Sequence, residues 1–404
     1  MTGSSTRRLV STLTPLMIVA GAATAQSFDP PTTIPAVQRP SAVATGLFNA
    51  DGFVDVAFTV DGPDRILVFH GDGAGAFTAG PVIMLGAGVG AGDLVTGEFG
   101  GGPEPDLAVA LQNSNAIRTY INNAGAGFTL GTTTAVGTNP RGLTVGDHNC
   151  DGAMDIACAN RDDNTASVLT SDGLGGFAAM TLNVGLDPRQ AAFIALDNDC
   201  DLDLAVSNHD DRSISVFTNN GAGFALSATL AVNPALRPDG IVAADFNNDG
   251  AQDLAAATET FATVWTNVSG SLTNRVEWPL GGDSADIIAG DFDCNGSTDL
   301  ATANQNSGTV SVINNTGAGG FGAGVTFATG ASPTALAMGD FDANASNDLA
   351  VANRDSNTVS IALNTCTGDP GPNPDCQNAD VNGDGTVDLD DLQVMLFNFG
   401  ESCN

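Results

Sequence analysis

The sequence predicts an all-β fold: a seven-bladed β-propeller closed by an N-terminal strand, with a small loop-and-helix segment after it. Three observations carry that expectation. An acidic loop recurs seven times, its last residue being Asp55, Asp106, Asp155, Asp203, Asp253, Asp299 and Asp348, so the repeat length is 46 to 51 residues, that of one blade. Each unit reads as four short strands: one leading into the loop, a Leu-Ala-Val-Ala type run after it, an alternating Thr-Val-Ser-Val type run, and a strand opened at a Phe by a Gly-rich hairpin. Helical periodicity of useful length does not interrupt this pattern.

Residues 1–25 read as an export signal, with Arg7 and Arg8 before an apolar run from Leu9 to Ala23 and a small-residue cleavage site at Ala23-Thr24-Ala25. That run is shorter than the ~20 residues a membrane helix needs. The propeller is expected over 26–365. Phe77, Phe128, Phe177, Phe224 and Phe321 open the outer strands, with Leu272 in the fifth unit. Phe28 lies 49 residues before Phe77, in the same register, and the last unit stops near Asn364. Residues 28–37 are therefore expected to supply the outer strand of the last blade and close the ring. A second series, Phe48, Phe99, Phe246, Phe292 and Phe341, sits inside the loops; these ten of the 20 Phe are expected to be core between blades.

The charge of −34 comes from 46 acidic residues, nearly all Asp, against 12 basic ones, all Arg. That balance excludes nucleic acid and anionic membranes as partners, because both are bound by cations displacing counterions. It favours cations as ligands. Within the acidic loops, side-chain oxygens stand at positions 1, 3, 5 and 9, where a tight turn directs them to one point, and Ca2+ accepts six to eight such oxygens. Full sets are Asp147, Asn149, Asp151 and Asp155; Asp245, Asn247, Asp249 and Asp253; Asp291, Asp293, Asn295 and Asp299; Asp340, Asp342, Asn344 and Asp348. Weaker sets are Asp197, Asp199, Asp201 and Asp203, and Asn49, Asp51 and Asp55. The second loop, Glu98 to Asp106 through Gly100 and Gly102, has lost too many oxygens. The bland alternative for any one copy is an Asx turn without an ion.

These loops, followed by Leu-Ala-Val-Ala and a Gly-Phe hairpin, resemble the FG-GAP or VCBS repeats of integrin α-type propellers over residues 28–365. The resemblance implies calcium in the loops on the lower face, a binding scaffold, and partners on the upper face.

A Pro/Gly linker at 366–378 leads to a segment at 379–404. There Asp380, Asn382, Asp384, Thr386 (through its carbonyl), Asp388 and Asp391 occupy the ligand positions of an EF-hand loop, with Gly385 at the turn and a short helix expected over Leu392–Phe399. The segment resembles one repeat of a type I dockerin, which implies a cohesin-like or surface-sorting partner; family members carry two repeats. Of seven Cys, Cys376 and Cys403 are expected to pair, while the pairing of Cys150, Cys200 and Cys294 is left open.

No nucleophile elbow, zinc-protease helix or phosphate loop occurs, so an enzyme is not expected. His148 replaces a loop Phe and is expected in the core. Arg39, Arg141, Arg189 and Arg237 precede the first strands of their blades, and Arg161, Arg212 and Arg354 lie in turns that emerge on the same face, opposite the acidic loops. They are the candidate ligand-binding residues for an extracellular glycan or protein, against the alternative that nearby Asp side chains simply pair with them.

Overall fold

The computed structural model describes residues 27–366, except 101, 103, 198, 318 and 323. The expected signal segment, the linker beyond Cys366, the EF-hand-like loop and helix, and the Cys376–Cys403 bridge lie outside the described residues.

Strands A to D of the first sheet are Pro40–Gly46, Asp55–Val60, Arg65–Gly71 and Phe77–Met84, each antiparallel to the next. The same order recurs along the chain, and the described strands form seven four-stranded sheets, two of them joined through a single parallel bridge between Gly142 and Gln190. Glycine is required at that bridge: a Cβ at Gly142 would lie 2.4 Å from the Arg189 carbonyl oxygen. In the last sheet Thr32–Pro35 pairs with Thr358–Ala362, so a segment from the start of the chain takes the outer position.

Strand A of each sheet lies beside strand A of the next, and the first, Pro40–Gly46, lies beside the last, Pro333–Gly339. The Thr45 hydroxyl donates to the Met338 carbonyl at 2.7 Å across that contact. Strand B, with a sheet neighbour on each edge and another sheet on each face, is buried at all six positions in every unit; this is why it reads as a continuous apolar run, not an alternating one. The outer strands are exposed or half-exposed along most of their length.

The core lies between sheets. One cluster joins Phe48, Ile66 and Ala57 of the first unit to Leu107, Val109 and Tyr120 of the second, and another joins Val56 and Phe58 to Phe341 and Val359 of the last. The loop Phe residues meet the outer-strand Phe residues of the following unit edge-on, Phe48 with Phe128, Phe99 with Phe177, Phe246 with Phe321 and Phe341 with Phe77, at centroid distances of 5.4–6.2 Å. His148 is buried in the same place, against Phe193 and Phe224. One expectation is corrected. Phe321 makes only an isolated bridge to Asn315, and the sixth outer strand is Thr326–Ala328, because the glycines at 322 and 324 supply no side chains to pack across the pleat.

Candidate metal loops and channel mouth

The final Asp of every acidic loop is buried to 0–1% exposure at the head of strand B. In all seven, one carboxylate oxygen accepts the N–H of loop position 2 at 2.7–3.1 Å. The other accepts the N–H at the end of strand C at 2.6–2.9 Å. This carboxylate therefore ties loop, strand B and strand C together whether or not an ion is present.

The residue that ends strand C is Asn122, Asn219, Asn267, Asn315 and Asn364 in five units. Its side-chain amide donates to the position-2 carbonyl of the preceding sheet, as from Asn315 to Phe246 at 2.6 Å and from Asn364 to Phe292 at 2.8 Å. These inter-sheet staples were missed in the sequence, although an Asn 14 to 16 residues after the final Asp was the available signal.

Position 1 behaves alike in the four full loops. The carboxylates of Asp147, Asp245, Asp291 and Asp340 each accept the N–H groups of positions 5 and 6, the Asx-type turn expected of these residues. Position 3 separates them. Where it is Asp, three carboxylates converge within 4.8 Å: Asp291, Asp293 and Asp299, and Asp340, Asp342 and Asp348. Asn149 and Asn247 hold that place in the third and fifth loops, so the only carboxylates there are Asp147, Asp151 and Asp155, and Asp245, Asp249 and Asp253, and neither trio converges so closely. Asp293 Oδ1 and Asp342 Oδ1 are buried without a hydrogen-bond partner, which is how an oxygen meant for a cation presents itself.

Burial pushes Asp299 up to about 8 and Asp348 up to about 7, neighbouring carboxylates adding to the effect against their backbone N–H bonds. Asp203 and Asp253 rise to about 6 for the same first reason. In the fourth loop Asp199 is raised chiefly by sharing a hydrogen bond with Asp197. The first loop, with Leu47 at position 1, uses Asn49 and Asp51 to cap backbone N–H groups at 2.9 Å. Two disulfides fix this end: Cys150–Cys200 joins the third and fourth loops, and Cys294–Cys366 joins the sixth loop to the end of the last sheet. Cys158 is a buried free thiol pushed up to about 12 by desolvation.

The seven A strands enclose a channel of about 1120 Å3 that runs along them to the end opposite the acidic loops. Of the seven candidate Arg residues, Arg141, Arg189, Arg237 and Arg354 line it, whereas Arg39, Arg161 and Arg212 do not. Four form ion pairs: Arg39 with Asp355 at 3.2 Å, Arg161 and Arg189 with Asp187 at 2.6 and 2.8 Å, and Arg354 with Asp61 at 3.6 Å. Asp187 is held low despite its burial by the Arg189 and Arg161 hydrogen bonds. His209 sits between Asp187 at 3.4 Å and Asp239 at 3.8 Å.

The family model for FG-GAP-like repeats matches residues 196–256 and 245–302, from the fourth acidic loop to strand B of the sixth sheet. The chain has a propeller-like repeat fold. Its structure is similar to that of virginiamycin B lyase from Staphylococcus aureus (TM-score 0.58, 14% identity, 83% of this chain and 99% of that one). It is similar also to BBS1N, solved in complex with ARL6DN (0.60, 14%, 85% and 99%), and to Raptor from Chaetomium thermophilum (0.62, 14%, 85% and 29%). At such identities the likeness concerns fold alone. No curated protein matches the chain in sequence. Among the described residues no helix is long and apolar enough to cross a membrane.

Proposed function

We propose that the chain is an exported, calcium-stabilised, seven-bladed propeller that serves as a binding or adhesion module for an extracellular glycan or protein. The observation that carries the calcium reading is the pair of buried, partnerless oxygens on Asp293 and Asp342, each inside a trio of converging carboxylates. Hard oxygen donors of this kind suit Ca2+, which would neutralise the carboxylate repulsion that adds to burial in raising Asp299 and Asp348. Loops three and five are read as further sites, loops one and four as weaker ones and loop two as none. The EF-hand-like segment would add a site of its own and act as a docking or surface-sorting tail. Ring closure is supported by the outer position of Thr32–Pro35 and by the Thr45 to Met338 bond.

Binding is assigned to the face opposite the acidic loops, where a concave cavity opens among charged side chains. Elemental analysis of the full chain should find several calcium ions per molecule, and metal-free material would end the calcium reading. On an array of extracellular glycans and matrix proteins, wild type should be retained and the triple variant Arg189→Glu, Arg237→Glu, Arg354→Glu should not. Equal retention would end the binding-face reading. A second reading, a polysaccharide lyase or hydrolase, has in its favour His209 between two carboxylates at the cavity mouth and the fold likeness to a lyase. Unsaturated products or reducing ends released from acidic polysaccharide would select it.

A further inference from the structure

Charge at the cavity mouth is mixed, not uniform. Arg141 and Arg189 enter from the third and fourth sheets. Asp239, Glu259 and Asp283 enter from the fifth and sixth, with Arg237 beside them on the fifth, and Arg354 and Asp61 enter from the seventh and first. Arg189 is already engaged by Asp187 at 2.8 Å and by Asp239 at 3.8 Å. Arg141 is different. Among the described residues no carboxylate forms an ion pair with it, its Nε, like that of Arg189, is buried without a hydrogen-bond partner, and burial together with Arg161 and Arg189 pushes its pKa down against the charges of Asp187 and Asp162. A guanidinium kept half-buried among like charges is unfavourable for the folded chain unless something else meets it. On the acidic side, burial raises Asp239 to about 6, with Asp283 adding to it, so a cation arriving there would also be welcome. A polyanion reaching Arg141 would have to pass those same acids.

We infer that the mouth holds a small zwitterion of the amino-acid or short-peptide class, its carboxylate forked by Arg141 and its ammonium directed to Asp239 and Asp283. The inference rests on the reading of this face as a binding surface and narrows what it takes. Across the channel the place equivalent to Arg141 on the sixth sheet is the small Ala285.

Calorimetry on the full chain with calcium present tests it, using glycylglycine as the zwitterion, succinate as dianion and ethylenediamine as dication. Glycylglycine should bind about tenfold or more tightly than either of the others. Arg141→Gln should weaken it about tenfold, Arg141→Lys less, and Arg275→Gln on the outer strand not at all. The Arg141→Gln protein should melt no lower than wild type, since it loses an unpaired charge between two like ones. No heat with glycylglycine, succinate binding as tightly, or an unchanged affinity in Arg141→Gln would each overturn the inference. Retention of the wild type on the array in any of those cases would leave the adhesion reading standing, so the two failures are distinct.

Discussion

The second and sixth sheets share their architecture and differ in their chemistry. Each has an Asp in strand A that accepts an N–H from the next sheet: Asp93 from Leu143 at 2.6 Å and Asp286 from Leu336 at 2.8 Å. Each ends its loop with a buried Asp making the same two bonds, Asp106 to Phe99 and Asn122, Asp299 to Phe292 and Asn315. Only the sixth gathers three carboxylates and leaves Asp293 Oδ1 without a partner. The final Asp of the repeat is therefore architecture, present even where three carboxylates do not gather, and on the calcium reading the ion would depend on the earlier positions.

The largest effect should come from the shared part. Asp106→Ala and Asp299→Ala each strand two buried backbone N–H groups, a loss of roughly 2 to 6 kcal/mol by urea unfolding. For Asp106→Ala the loss should be the same in calcium and in chelator. If Asp106→Ala proved harmless, the architectural reading of the final Asp would fail. Next is the covalent tie that the sixth loop has and the second lacks. Removing Cys294–Cys366 through paired Ser substitutions should cost about 2 to 4 kcal/mol, measured against the intact protein under non-reducing conditions.

The metal itself comes third. At ten times its dissociation constant, one calcium site contributes about 1.4 kcal/mol by linkage. Asp293→Ala should remove that calcium-dependent increment at the sixth sheet, while Glu98→Gln at the second should leave the calcium-dependent melting shift untouched. A calcium response left undiminished by Asp293→Ala and Asp342→Ala together would place the ions elsewhere than in the sixth and seventh loops.

How much of this the sequence carried depends on what a repeat exposes. The strands were legible because burial on both faces writes strand B as an unbroken apolar run such as Asp-Leu-Ala-Val-Ala, seven times over. The paired Phe series was legible for the same reason. The double role of the final Asp was not, because a carboxylate that accepts backbone N–H groups and one that binds an ion occupy the same letter at the same spacing. Asn315 and its equivalents were passed over because a polar residue at a strand end ordinarily reads as a turn, and its partner, the Phe246 carbonyl, lies 69 residues away. The Cys150–Cys200 and Cys294–Cys366 pairings needed the relative placement of loops from different sheets, which spacing alone does not supply.

The smallest effect separates Asp93 from Asp286. Both sit half-buried in the channel wall with two backbone N–H bonds, and burial raises both, but Asp286 stands at about 7, with the Asp93 charge adding to it, against an ordinary 3.8. A carboxyl raised in the folded state binds its proton more tightly there than in the unfolded chain. Its contribution to stability is thus complete below the ordinary aspartate range and is lost as pH rises through about 7. The melting-temperature difference between wild type and Asp286→Asn, taken in chelator from about pH 5 to about pH 8, should shrink as pH rises, since Asn does not titrate. Apart from Asp93, whose charge acts on Asp286, the other carboxylates are common to both proteins and cancel in that difference, so parallel curves would mean that Asp286 is ionised throughout and that the channel wall is wetter than its packing implies.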